Sequence, residues 1–147
     1  MHILKKLRHS PAAAWSAAGA YALLIFYVSH QSRPFDLTIR VPYFDVAAHV
    51  AEYALLSFLV GRACRLSPRA GIKEEAVYIA VVVAALYGLT DELHQAVIPG
   101  RTSEWKDWVS DVTGAVLMQW AVWRRSKKKS LKTIYCNLKL DTLLVNK

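Results

Sequence analysis

Carboxylates and imidazoles occur in this sequence where apolar residues are expected, inside or beside long hydrophobic runs. Asp91, Glu92 and His94 follow directly on the apolar run AVYIAVVVAALYGLT, and Asp107 and Asp111 open the next apolar run. A charged side chain at membrane depth costs about 3 kcal/mol on insertion scales. We therefore expect these charged groups to have a function that offsets their cost.

A third polar group precedes these two. Asp45, His49 and Glu52 are spaced i, i+4 and i+7, which places them on one face of a helix with Tyr53 beside them. Arg101 lies in the connection between His94 and Asp107, where it can pair with an acid or hold a phosphate. The candidate ligand-binding residues are Asp45, His49, Glu52, Tyr53, Asp91, Glu92, His94, Gln95, Arg101, Asp107 and Asp111.

These residue types allow two kinds of chemistry. His49, Glu52, Asp91 and His94 have the donor atoms that bind zinc and other divalent ions, but no HExxH motif or set of cysteines accompanies them. They are metal candidates without a specific motif, and we predict no cofactor. A His–carboxylate pair could also act in general acid–base chemistry. No nucleophile elbow or phosphate loop specifies a reaction, so catalysis stays open and a non-enzymatic role is favoured.

The elements that must position these residues are hydrophobic helices. The chain has 147 residues and is 54% hydrophobic, with its apolar residues in runs, which is typical of a small integral membrane protein. The first run, residues 12–28, is longer than the core of a signal peptide and lacks a small-residue cleavage site. We predict an all-α integral membrane bundle of four transmembrane helices at about 11–29, 44–64, 74–98 and 104–124. Residues 1–126 form one domain, Thr102 or Ser103 caps the last helix, and residues 127–147 form a basic cytoplasmic tail.

Basic residues are distributed unequally among the segments outside the predicted helices. Of the 19 lysines and arginines, 15 lie in the N-terminal segment, the 62–73 connection and the C-terminal segment 124–147, and four lie in the other two connections. The positive-inside rule then puts both termini in the cytoplasm. The three polar groups share one membrane level in this topology, and we expect them to form a cavity open to the extracytoplasmic side.

Charge and cysteine content exclude some classes of protein. The net charge of +8 does not predict nucleic-acid binding, because the basic residues flank hydrophobic runs and no zinc-finger, RNP-like or helix-turn-helix pattern occurs. Cys64 and Cys136 have no CxxC spacing and predict neither a disulfide nor a metal site.

Three motifs resemble one membrane protein family. DVAAHVAEY begins at Asp45, YGLTDELHQAVIPGR begins at Tyr87, and DWVSDVTGA begins at Asp107. In order and spacing they resemble the VanZ-like proteins, which are named for a protein associated with resistance to teicoplanin-type glycopeptide antibiotics. The resemblance implies a multi-pass protein of the bacterial cytoplasmic (inner) membrane. It covers roughly residues 15–120. Val46 and Asp111 depart from the family's usual Lys and Asn, and Met118 stands where a second Gly is frequent.

The sequence leaves three functions open. The favoured one is an outward-facing polar pocket that binds an envelope lipid or cell-wall precursor and influences sensitivity to glycopeptide-type antibiotics. The alternatives are a membrane-embedded enzyme acting on a lipid-linked phosphate or sugar, and a structural or assembly protein whose polar residues fix helix register. The expected partner in every case is the lipid bilayer. The sequence does not fix the oligomeric state.

Overall fold

The computed structural model describes residues 10–31, 44–99, 101 and 103–145, with side chains up to residue 133. These residues form helices and turns and no strand, which confirms the all-α prediction. The helices are α1 (Pro11–Ser29), α2 (Phe44–Arg65), α3 (Ala70–Glu74), α4 (Ala76–Gln95) and α5 (Trp105–Val145).

Two predicted helix boundaries are wrong. The helix predicted over 74–98 corresponds to α4, which begins at Ala76 after the separate short helix α3 and ends at Gln95. Turns follow up to Pro99, which disfavours helical backbone in the residue before it. The helix predicted to end near 124 continues to Val145, so the basic segment is part of α5. Its lysines and arginines are good helix formers, and neither Gly nor Pro follows Gly114 in the chain.

The central helix of the bundle is α2, which packs against α1, α4 and α5 and most extensively against α5. Small residues allow this close packing. On α4 they recur every four residues as a buried stripe of Ala76, Ala80, Ala84 and Gly88. On α5, a Cβ added to Gly114 would overlap the carbonyl oxygen of Val50 on α2. Gly88 and Gly114 therefore let neighbouring helices approach closely.

Three helices in the described part of the chain are long and apolar enough to cross a membrane. They are α1, α2 and α4, with 19, 22 and 20 residues, and a helix of 20 residues is about 30 Å long, the thickness of a hydrocarbon core. Large apolar side chains cover their outer faces, including Leu23, Leu24, Tyr27, Leu55, Phe58, Tyr78, Leu86 and Leu93. This arrangement indicates a multi-pass membrane protein. A fourth crossing and the orientation stay predictions.

One end of the bundle brings the predicted site residues together. The contacts of Ser29 with Asp91 and of His49 with Asp111 show that α1 and α4 end there and that α2 and α5 begin there. We call this end of the bundle the polar end. His49, Glu92 and Asp111 all lie within two helical turns of it, at a depth of about 5–9 Å from the nearest helix terminus.

Candidate functional site

The small-residue stripe of α4 becomes polar at the polar end. Asp91, Glu92 and Gln95 continue the buried face of the helix, with exposed fractions of 6%, 5% and 3%. Buried carboxylates need hydrogen-bond partners or counter-charges to offset their desolvation. The contacts of these groups therefore define what the site is.

Asp111 on α5 and His49 on α2 form a hydrogen bond across the helix interface. Nδ1 of His49 donates to Oδ1 of Asp111 at 2.9 Å. Asp111 is 1% exposed, and its second oxygen, Oδ2, has no partner among the described residues. Gly88 makes room for this carboxylate, since a Cβ at that position would lie 2.8 Å from Oδ2.

Glu92 connects α4 to the start of α5. Its Oε2 accepts hydrogen bonds from the Ser103 hydroxyl at 2.9 Å and from the Glu104 backbone N–H at 3.0 Å. A side chain of another helix thus binds an N–H group that the start of α5 leaves free. The predicted cap Ser103 instead donates its hydroxyl to Glu92, and Thr102 lies outside the described residues. Oε1 of Glu92 is buried and has no described partner.

His49, Glu92 and Asp111 come from three helices, and one potential ligand atom of each lies within 4.8 Å of the others. We call these three residues the His–Glu–Asp cluster. Tyr53 packs beside it, since a Cβ added to Gly88 would lie 3.2 Å from the Tyr53 ring and 2.8 Å from Oδ2 of Asp111. The Tyr53 hydroxyl is also buried without a described partner. Because buried polar groups are normally paired, three such atoms indicate a site that the described side chains leave incomplete.

Three half-buried charged residues surround this cluster. Glu52 and Asp107 are acids, and both lie within electrostatic range of His49 and Arg101. Nε of Arg101 is buried and has no described partner. We call Glu52, Arg101 and Asp107 the rim. Asp45, predicted on the same helical face as His49, is exposed.

A second polar network joins the end of α1 to the end of α4, and we call it the second network. Oδ2 of Asp91 accepts from the Ser29 hydroxyl and from Nε2 of Gln95, both at 2.9 Å. Nearby, a ring nitrogen of His94 lies 3.2 Å from one of His30. Unlike Glu92 and Asp111, Asp91 has no buried oxygen that lacks a described partner.

The structure divides the predicted site residues into these groups. Among the four metal candidates, His49 belongs to the cluster, whereas Glu52 lies at the rim and Asp91 and His94 lie in the second network. Glu92 and Asp111 supply the carboxylates beside His49 instead.

Sequence reasoning missed several polar contacts. Ser29 and His30 end α1 directly after an apolar run, a position that could have indicated partners on α4. A third network lies deeper in the bundle, where Nε2 of Gln119 donates to the carbonyl and hydroxyl oxygens of Ser57, at 2.7 and 3.0 Å. Arg65 donates to Oε1 of Gln119 at 3.3 Å. The signal in the sequence that could have indicated this network is that Ser57 and Gln119 are single polar residues within apolar runs.

The comparison with protein-family models agrees with the motifs. The model of the family described as VanZ/LLP1 matches residues 4–126. The chain belongs to the VanZ/LLP1 family, which confirms the resemblance. Neither a curated protein nor a solved structure matches the chain.

Proposed function

We propose that this VanZ/LLP1 family protein binds the headgroup of an envelope lipid or cell-wall precursor at its polar end, and thereby changes bacterial sensitivity to glycopeptide-type antibiotics. In this proposal it spans the cytoplasmic membrane four times, with both termini in the cytoplasm and the polar end outside. The observation that carries the proposal is the incomplete site. Tyr53, Glu92 and Asp111 each hold a buried polar atom that has no partner among the described residues and that a bound molecule can pair.

The first half of α5 supplies the proposed fourth crossing. Trp105 and Trp123 are both exposed, and their separation of 18 positions in sequence corresponds to about 27 Å of helix. Exposed tryptophans at both ends of such a span are typical of membrane interfaces. Beyond the second interface, Arg124 lies over the Trp120 ring and Lys127 over the Trp123 ring, at 4.8 and 4.5 Å. These cations suit the cytoplasmic headgroup region.

The rim has the charges to recognise a headgroup. The Arg101 guanidinium, with a buried Nε that lacks a described partner, can hold a phosphate oxygen. Glu52 and Asp107 accept hydrogen bonds, so they suit the hydroxyl and amide N–H groups of sugars and peptides. A lipid-linked precursor offers phosphate, sugar and peptide together. Its acyl or prenyl chain would lie along the apolar outer faces of the helices.

Binding of defined lipids tests this proposal. The purified full chain in detergent is mixed with a polyprenyl-diphosphate-linked sugar peptide or with phosphatidylglycerol, and complexes are counted by native mass spectrometry. We expect the precursor to bind, and Arg101→Gln or Glu52→Gln to weaken binding about tenfold, since a charged hydrogen bond contributes about 1.5 kcal/mol or more. Glu74→Gln is the matched control, because Glu74 is an exposed acid of α3.

Failure of both lipids to bind, or equal loss with Glu74→Gln, would contradict the proposal. Binding of phosphatidylglycerol alone would identify the ligand as an envelope phospholipid. In cells, the wild-type protein should raise the minimal inhibitory concentration of a teicoplanin-type antibiotic. Arg101→Gln should remove that protection at unchanged protein abundance, and a loss of abundance would instead support the structural alternative.

A second candidate function is hydrolysis or transfer at a lipid-linked phosphate or sugar. The observation that favours it is the His49–Asp111 hydrogen bond of 2.9 Å, in which a carboxylate orients an imidazole as in general acid–base sites. The purified protein should then convert the lipid-linked precursor, and His49→Ala should abolish turnover. His94→Ala should not, because His94 lies in the second network.

A further inference from the structure

We propose that the His–Glu–Asp cluster binds a divalent cation, with zinc as the best match to its donors. This inference deepens the proposed function, because it specifies what fills the inner part of the same pocket. The cation site itself rests only on contacts within the protein. It can therefore be tested with the metal alone.

The donor set fits a divalent ion. One imidazole and two carboxylates, from α2, α4 and α5, converge with ligand atoms within 4.8 Å of one another. Metal–ligand bonds of about 2.1 Å place tetrahedral ligand atoms roughly 3.4 Å apart, so shifts of up to about 1.4 Å close the site. Nitrogen and oxygen donors of this kind suit zinc or manganese more than calcium or magnesium.

The two carboxylates supply the independent observation that points to a ligand. Glu92 and Asp111 are 95% and 99% buried by their exposed fractions of 5% and 1%. Each uses one oxygen for hydrogen bonds and leaves the other, Oε1 or Oδ2, without a described partner. Free lone pairs on buried oxygens are what a cation needs.

Charge and support also agree with a cation. Two ionised carboxylates carry a charge of −2 and a neutral imidazole adds none, so a divalent ion leaves the cluster neutral. Oε2 of Glu92 accepts hydrogen bonds from Ser103 and Glu104. Hydrogen bonds of this kind orient the side chains that bind a metal. Three protein ligands leave a coordination position open. That position can accept a phosphate oxygen of the headgroup. The acidic residues of the pocket would otherwise repel an anionic lipid, and the cation removes this repulsion.

Metal binding without lipid provides the test. The full chain carrying Cys136→Ser is purified in detergent, stripped with chelator and titrated with Zn²⁺ by calorimetry. We expect one zinc per chain, and a loss of affinity of tenfold or more in His49→Ala, Glu92→Gln and Asp111→Asn. Asp91→Asn and His94→Ala are the matched controls, and they should change the affinity less than threefold. Both residues lie in the second network, and Asn can still accept from Ser29 and Gln95.

A second measurement protects the test against variants that fail to fold. Co²⁺ bound to the wild-type protein should give visible absorption bands of a site with nitrogen and oxygen ligands, and Zn²⁺ should displace it and raise the melting temperature. Absence of stoichiometric zinc in the wild type, or equal affinity in folded cluster variants, would overturn the cation site. Lipid binding that persists in chelator would separate the two claims, because the proposed function would stand without the metal.

Discussion

Replacement of Gly114 by alanine should damage both the bundle and the site. The added Cβ would overlap the carbonyl oxygen of Val50 and lie 2.9 Å from its carbonyl carbon and Cα. These atoms are backbone and cannot rotate away. Because ordinary contact begins at 3.4 Å, α2 and α5 must separate by at least about 0.5 Å.

This separation acts directly on the His–Glu–Asp cluster. Val50 follows His49 in sequence, and Gly114 lies one helical turn from Asp111. An added 0.5 Å lengthens the 2.9 Å hydrogen bond between His49 and Asp111 to about 3.4 Å, beyond the usual range. Overpacking costs about 1–3 kcal/mol, and a weakened buried hydrogen bond adds about 1 kcal/mol. We expect the free energy of unfolding to fall by about 2–4 kcal/mol.

Thermal unfolding of the purified protein in detergent measures this effect. A loss of 2–4 kcal/mol corresponds to a melting temperature lower by roughly 5–15 °C for a chain of this size. Gly19→Ala is the matched control, because a Cβ there meets nothing within 4 Å, and it should stay within about 0.5 kcal/mol of the wild type. Equal melting temperatures for the two variants would refute the close approach of α2 and α5.

Three further substitutions test other contacts by the same unfolding assay. Gly61→Ala brings a Cβ to 2.8 Å from Nε2 of Gln119; a side-chain amide can move, so we expect a smaller loss of about 1 kcal/mol than at Gly114. Tyr87→Phe removes a hydroxyl that donates to the Ala22 carbonyl at 2.6 Å and should cost about 1 kcal/mol. Trp108→Phe removes an indole N–H that donates to a carbonyl of α4 at 2.9 Å and should cost a similar amount, about 1 kcal/mol. Wild-type stability in any of these variants would contradict the contact concerned.

The sequence predicted the helical class and the meeting of the polar groups because both depend on strong local signals. Hydrophobic runs of membrane length are long and uninterrupted, and the spacing of His49 relative to its helix start predicts its depth. The predicted end of α5 is wrong, because the basic segment is highly charged but contains no helix-breaking residue and continues the helix.

The separation of the polar residues into the His–Glu–Asp cluster and the second network could not be predicted, because it depends on how each helix is rotated against its neighbours. Asp91 and Glu92 are adjacent in sequence, but successive residues point about 100° apart around a helix. Asp91 therefore contacts Ser29 on α1, whereas Glu92 contacts the start of α5. Periodicity places residues on a helix face without showing which helix that face contacts. The same limit hid the pairing of Gln119 with Ser57.

The account depends most directly on the side of the membrane that the polar end faces. A single cysteine is introduced as Pro99→Cys, at an exposed position of the polar end, in a Cys64→Ala, Cys136→Ser background, and intact cells are treated with a membrane-impermeant thiol reagent. Lys73→Cys, exposed on α3 at the opposite end, is the paired control. We predict that Pro99→Cys is labelled in intact cells and that Lys73→Cys is labelled only after lysis. The reverse pattern would place the pocket in the cytoplasm and contradict binding of an extracytoplasmic headgroup.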